Sequence, residues 1–293
     1  MYQSEFNDQL NDQNSIRVES DGLAAAELTA LQFSKQLACV KSLVRGIQEE
    51  PYQPVYRKKR FGAPVCGWDA RLEAYFWPRP LFDYSHTCLA MQTIMAKAGA
   101  LAESLVDKGE WSEAEGIMAV ELANAIFTWG DVPQKPATVT PSSVKSVFQA
   151  ALANNAKARS YMNSGWTKVA AFATAHLEQD LQRHPQAIWD SRVATAIISR
   201  LDAQLEGEDV PVTLFPGVGT VPGRGGTRPR KLAKRWPSGY RTWSGQIAGS
   251  ALVRQIRDIL NRDNGYPKMP LPEGGVGPWT TRGVEMVLFM DGY

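Results

Sequence analysis

Lys168 and Asp190 are the two residues whose types and setting could do covalent chemistry together. They lie in the stretch 161–201. There Asn163, Ser164 and Gly165 form a turn, a helix starts near Thr167, and Asp190 stands where it would cap the next helix. A lysine in the first turn of one helix and an aspartate at the cap of a nearby one could point into a single cleft. A lysine amine attacks carbon only when neutral, and burial near the positive end of a helix lowers its pKa. Such an attack can lead to a Schiff base. An ionised carboxylate beside it would stabilise positive charge growing on the attacked carbon. Taken singly, each residue has a plainer reading: a solvated helix lysine and an N-cap aspartate. Their pairing, 22 residues apart, makes the chemical reading worth pursuing.

The elements that must position this pair are helical. Residues 22–48 read as a helix with Leu28, Leu31, Leu37 and Val40 as apolar positions, ended by Pro51 and Pro54. Residues 61–84 are aromatic and loop-like, with Pro64, Pro78 and Pro80 as punctuation. A helix follows near 87–107. The next opens on Ser112 and Glu115, a capping box in which each side chain satisfies a free backbone N–H of the other's residue, and it places Met118, Leu122 and Ile126 on one face. Another starts near Ser142 with Val144, Val147, Phe148 and Leu152. Residues 191–206 carry the clearest period, with Val193, Ile197, Ile198, Leu201 and Leu205 spaced by three and four. A Gly/Pro-rich basic stretch, 211–239, then interrupts the pattern before helices at 243–263 and 280–290. The fold class is mainly α, with one long basic loop. Residues 1–20, rich in Asn, Gln, Asp, Glu and Ser, read as a flexible tail, and 21–293 as the helical region.

Composition bounds the function. The chain is 44% hydrophobic and 21% charged, an ordinary globular balance. Its net charge of +2 means that attraction to a polyanion must come from local clusters. Cys39, Cys66 and Cys88 form no CxxC pair, and His86, His176 and His184 lack metal-ligand spacing, so no metal and no cofactor are expected. No apolar run reaches the roughly 20 residues that span a bilayer, and the cysteine usage fits a cytoplasmic protein.

The segments Trp166-Thr167-Lys168-Val169-Ala170 and Ile188-Trp189-Asp190-Ser191-Arg192-Val193 resemble paired motifs of the helix-hairpin-helix DNA glycosylase superfamily, especially its 8-oxoguanine glycosylase branch. The segment Arg282-Gly283-Val284-Glu285-Met286 also looks like bacterial relatives of that fold. The hairpin differs: Met162-Asn163-Ser164-Gly165-Trp166 keeps one glycine, where the family usually reads L-P-G-V-G. Phe215-Pro216-Gly217-Val218-Gly219 matches that hairpin better by letters, but no lysine and no helix follow it, so it reads as a glycine-rich loop.

The resemblance implies a helical DNA glycosylase fold, in which two helical subdomains could flank a central cleft. It implies a monomer that flips a modified base out of double-stranded DNA and excises it, with AP lyase activity as a possible second step. Lys168 would be the nucleophile and Asp190 the charge-stabilising partner. A flipped base needs an aromatic pocket, for which Phe76, Trp77, Trp129 and Trp189 are the candidates, with core packing the other reading for Trp129 and Trp189. Asn163, Gly165 and Arg192 would meet phosphate, with an exposed helix arginine the other reading for Arg192. An oxidised purine is the default substrate, and bacterial relatives suggest defence against phage with modified bases. A non-catalytic DNA-binding protein of the same fold is the main alternative, and a structural helical protein whose loop binds a partner is a third.

The loop from Arg224 to Arg241 interleaves basic residues with Trp236 and Tyr240, which suits phosphate contact and base stacking; the plainer reading is a solvated loop. If Arg228, Arg230, Lys231 and Arg235 each meet a phosphate, changing all four to Ala flattens the slope of log K against log salt by roughly three to four units, at about 0.9 per contact. Fluorescence anisotropy with duplex DNA at 50–200 mM salt reads this, and equal slopes would make the loop a bystander.

Overall fold

A computed structural model of the chain describes residues 29–57, 59–180, 182–205, 211–222 and 236–292. The expected tail at 1–20, Lys58, and the basic positions Arg228, Arg230, Lys231 and Arg235 lie outside the described residues. Two compact units divide the chain, Met1–Cys39 and Val40–Tyr293. In the first, residues 29–39 are helical, and the apolar position Leu31 is exposed.

The second unit is mainly helical. Helix α1 (40–49) buries Val40, Leu43, Val44 and Ile47 at helical spacing. A short hairpin pairs β1 (Val55–Tyr56) with β2 (Lys59–Arg60). Helix α2 (Trp68–Glu73) lies inside the stretch expected to be loop. Its six residues give too little period to read, and it has no side-chain cap; the burial of Trp68, Arg71 and Leu72 holds it. Helix α3 (Tyr84–Lys108) starts on Asp83, whose carboxylate accepts the His86 N–H.

The Ser112–Glu115 capping box forms as expected and opens α4 (Glu113–Trp129). Leu122 and Ile126 are buried, but Met118 is half exposed; the buried face runs instead through Gly116, Ala119 and Ala123. Helix α5 (Pro141–Leu152) is capped by Thr140. Helix α6 (Trp166–Ala173) is short and buried throughout. Helix α7 (Ser191–Gln204) starts on Asp190, and α8 (Pro211–Leu214) follows. Helix α9 (Trp243–Arg262), a small β3–β4 hairpin (Met269–Pro270 and Val276–Gly277) and α10 (Thr281–Asp291) close the chain. At 215–219 no helix opens. Gly219 and Gly239 cross so closely there that a Cβ on Gly219 would lie 2.3 Å from the Gly239 nitrogen.

One buried ion cluster ties α10 to the start of the unit. Asp291 receives Arg71 at 2.6 Å and Arg200 at 3.1 Å, and Arg200 also reaches Glu50 at 2.8 Å. Removing one member of a buried ion cluster leaves its partners' charge uncompensated, which costs about 3–5 kcal/mol. The Asp291→Ala variant is therefore expected to lose stability on that order in urea titration. A loss under about 1 kcal/mol, the range of exposed pairs, would mean that both arginines regain water.

Candidate active site

Residues 186–190 run buried between α6 and α7, outside any helix or strand. Their backbone N–H groups are met by side chains. Gln186 N–H donates to Thr174 Oγ1 (2.8 Å), Ala187 N–H to Ser250 Oγ (3.0 Å), Ile188 N–H to Glu285 Oε2 (2.6 Å) and Trp189 N–H to Thr167 Oγ1 (2.8 Å). Gln246 on α9 accepts from Thr167 and donates to Ala187 O. This segment delivers Asp190 to the start of α7. Asp190 Oδ1 there accepts the N–H groups of Arg192 (2.9 Å) and Val193 (3.2 Å).

With Oδ1 occupied, Asp190 Oδ2 lies 3.7 Å from Lys168 Nζ. Lys168 is in the first turn of α6, its side chain 6% exposed. Its ammonium donates to Ser164 O at 2.9 Å. Its stem passes over Gly130, where a Cβ would come within 2.5 Å of Lys168 Cδ. Burial holds the Lys168 pKa below the ordinary lysine value, and Arg192 and Arg282 add to this, while Asp190 and Glu285 act in the opposite sense.

Lys168 and Asp190 both face a cavity of about 430 Å³. Its walls include Tyr75, Trp77, Trp129 and Phe289. The Trp77 indole N–H donates to Trp129 O at 2.7 Å, and its ring meets Phe289 edge-on. Arg192 lies over Phe289, 4.3 Å from the ring centroid, and near Trp77 at 5.3 Å. Glu285 also lines the cavity. It is buried and pairs with Arg282, and desolvation pushes its carboxyl up to about 7 against the opposing effect of Arg282. Desolvation, with the charge of Glu285, also raises the Tyr75 hydroxyl well above its ordinary value.

The structure thus brings together Lys168, Asp190, Trp77, Trp129 and Arg192, and separates the other expected residues. Phe76 is buried edge-on against Tyr56 and Phe61, away from the cavity lining. Trp189 is in the core against α9, its ring so close to Gly249 that a Cβ there would sit 2.1 Å away. The path of the segment takes Asp190 to the cavity and Trp189 to the core. Arg192 lies in the cavity wall rather than on an open helix face.

The backbone N–H groups of Gly165 and Trp166 are already taken and are not free for a phosphate. Asn163 Oδ1 itself accepts the N–H of Gly165 (2.8 Å) and of Trp166 (3.2 Å), and its amide donates to Gln134 Oε1. Gly165 has an ordinary helical φ of −84° and serves close packing: a Cβ would lie 2.6 Å from Gln134 Nε2. Glu285, Phe289 and Tyr75 were not singled out from sequence. Glu285 carried a signal, as one acid among Val284, Met286, Val287 and Leu288, an arrangement that buries the acid with its neighbours.

Among the described residues no group of three or more His, Cys, Asp or Glu could hold a metal ion. No described helix is long and apolar enough to cross a membrane. No family model, no curated protein and no solved structure matches the chain.

The charge balance around Lys168 is testable directly. By NMR titration of the Lys168 Cε and Nζ signals, the amine is expected to lose its proton below the ordinary value of about 10.4. In Asp190→Asn the midpoint moves lower still, because the carboxylate favours the ammonium form. A wild-type midpoint at or above the ordinary value would show that Asp190 holds the lysine as an ammonium.

Proposed function

We propose that this chain is a DNA N-glycosylase of the helix-hairpin-helix, 8-oxoguanine glycosylase-like type, which excises a modified base through Lys168 and Asp190. One observation carries the reading: a buried lysine amine 3.7 Å from a carboxylate, both facing one aromatic-walled cavity. A solvated helix lysine would not be 6% exposed, and a simple N-cap aspartate would not face a buried amine.

The cavity suits a planar ring. A base leaving the duplex stack loses stacking and hydration, and aromatic walls restore the first. Trp77, Trp129 and Phe289 supply faces and edges, and Arg192, stacked on Phe289, places a cation at the same wall. Breaking the glycosidic bond builds positive charge at C1′, and Asp190 Oδ2 offers the opposing charge. Its other oxygen is tied to two backbone N–H groups, so the carboxylate is pre-oriented rather than reorganised at the moment of reaction.

The Lys168 amine, released from its proton more readily than an exposed lysine, attacks C1′. The resulting imine can proceed to strand cleavage. The filled hairpin around Asn163 is a departure from phosphate gripping by free hairpin N–H groups.

A panel of duplexes carrying oxidised, alkylated, deaminated and hypermodified bases, scored for base release, tests the reading. Wild type releases at least one base class. Lys168→Gln gives no strand cleavage, and Asp190→Asn slows release about 10²-fold or more, the scale of one pre-oriented electrostatic group. Asn still caps α7, so the start of that helix is retained. Binding without release across the panel would leave a DNA-binding protein that uses the same cavity for recognition.

A further inference from the structure

We propose that Glu285 is the acid that protonates the departing base, a third catalytic residue beside Lys168 and Asp190. The inference rests on the excision reading and adds to it the fate of the leaving group. Glu285 lines the cavity that holds Lys168 and Asp190, and reaches it from α10, a helix that neither of them belongs to. Its Oε2 accepts the Ile188 N–H at 2.6 Å, and its Oε1 pairs with Arg282. Ile188 belongs to the segment that positions Asp190, so the two carboxyl groups are held by one piece of backbone and both residues line one cavity.

The two carboxyl groups differ in environment. Asp190 stands at the start of α7, its Oδ1 accepting two N–H groups of the first turn. Glu285 is buried in the middle of α10, and desolvation brings it to about 7. The charged and titratable groups that face it are Lys168 from α6, Asp190 and Arg192 from the start of α7, Arg282 from its own helix and Tyr75 from the turn after α2. Helix α9 presents neutral Gln246 and Ser250 to the same segment. Two acids in one site with different surroundings divide naturally into a donor and a standing charge.

The step balances without any further reagent. The C1′–N bond breaks and its electron pair goes to the base, which takes the proton from the Glu285 carboxyl. The neutral Lys168 amine forms the new bond to C1′ and becomes a secondary ammonium. That ammonium passes a proton to the Glu285 carboxylate, which the Ile188 N–H and Arg282 have meanwhile stabilised. The carboxyl is restored, and Asp190 takes no part in the proton transfer.

Two substrates separate this role from the others. One is whichever duplex of the panel wild type processes fastest, followed in single turnover from pH 5 to 9. The other is a duplex with a preformed abasic site, trapped with borohydride, in which no base has to leave. Glu285→Gln is expected to slow base release roughly 10²–10⁴-fold, the range for a positioned general acid, and to lose the decline in rate near neutral pH that wild type shows as the donor ionises. Trapping of the abasic duplex stays within about threefold of wild type, which also shows that the variant folds. Release at the wild-type rate with the same pH limb overturns the assignment. Equal loss of release and trapping overturns it too, since Glu285 would then act on Lys168 or on the fold. A wild type that neither releases a base nor traps the abasic duplex removes the excision reading itself.

Discussion

The backbone between α6 and α7 is buried without belonging to a helix or strand, and everything at the site depends on how it is satisfied. A buried N–H left unpaired costs about 1–3 kcal/mol, so four of them in a row could not persist without partners. Thr174, Ser250, Glu285 and Thr167 supply those partners from the turn after α6, from α9, from α10 and from α6. The same bonds fix the direction in which residues 186–190 run. Trp189 is thereby turned onto Gly249 and Asp190 to the cavity, and α7 begins where the carboxylate can cap it.

The lysine side of the site follows from small residues. Gly130 leaves room for the Lys168 stem, and Gly165 lets the 132–134 connection approach the start of α6. Asn163 closes the first N–H groups of that start, and Ser164 O holds the amine. The result is an amine desolvated by the protein and a carboxylate solvated by helix N–H groups. This asymmetry suits a nucleophile and a standing charge better than it suits a stabilising ion pair, because burial of a pair often costs as much as its attraction returns.

Much of this was legible in the chain. The capping box at Ser112, the cap at Asp190 and the helix after it are local in sequence, and they formed where their spacing placed them. Trp77 and Trp129 were also identifiable as wall candidates. What could not be read was direction. Phe76 and Trp189 are aromatic neighbours of the cavity-lining Trp77 and Asp190, and only the tertiary path of an irregular segment decides which side each one faces. Helix α2 was invisible because its six residues are held by burial rather than by period or cap. Glu285 lay in a segment noted for its resemblance, but its role depends on Ile188, which is 97 residues away in sequence.

The central claim is that Lys168 is a nucleophile toward the sugar carbon. Borohydride reduction of the protein mixed with an abasic-site duplex, followed by digestion and mass mapping of the adduct, tests it most directly. The account predicts one covalent adduct, on Nζ of Lys168, and none in Lys168→Gln. An adduct on the N-terminal amine or on another lysine, persisting in that variant, would contradict it.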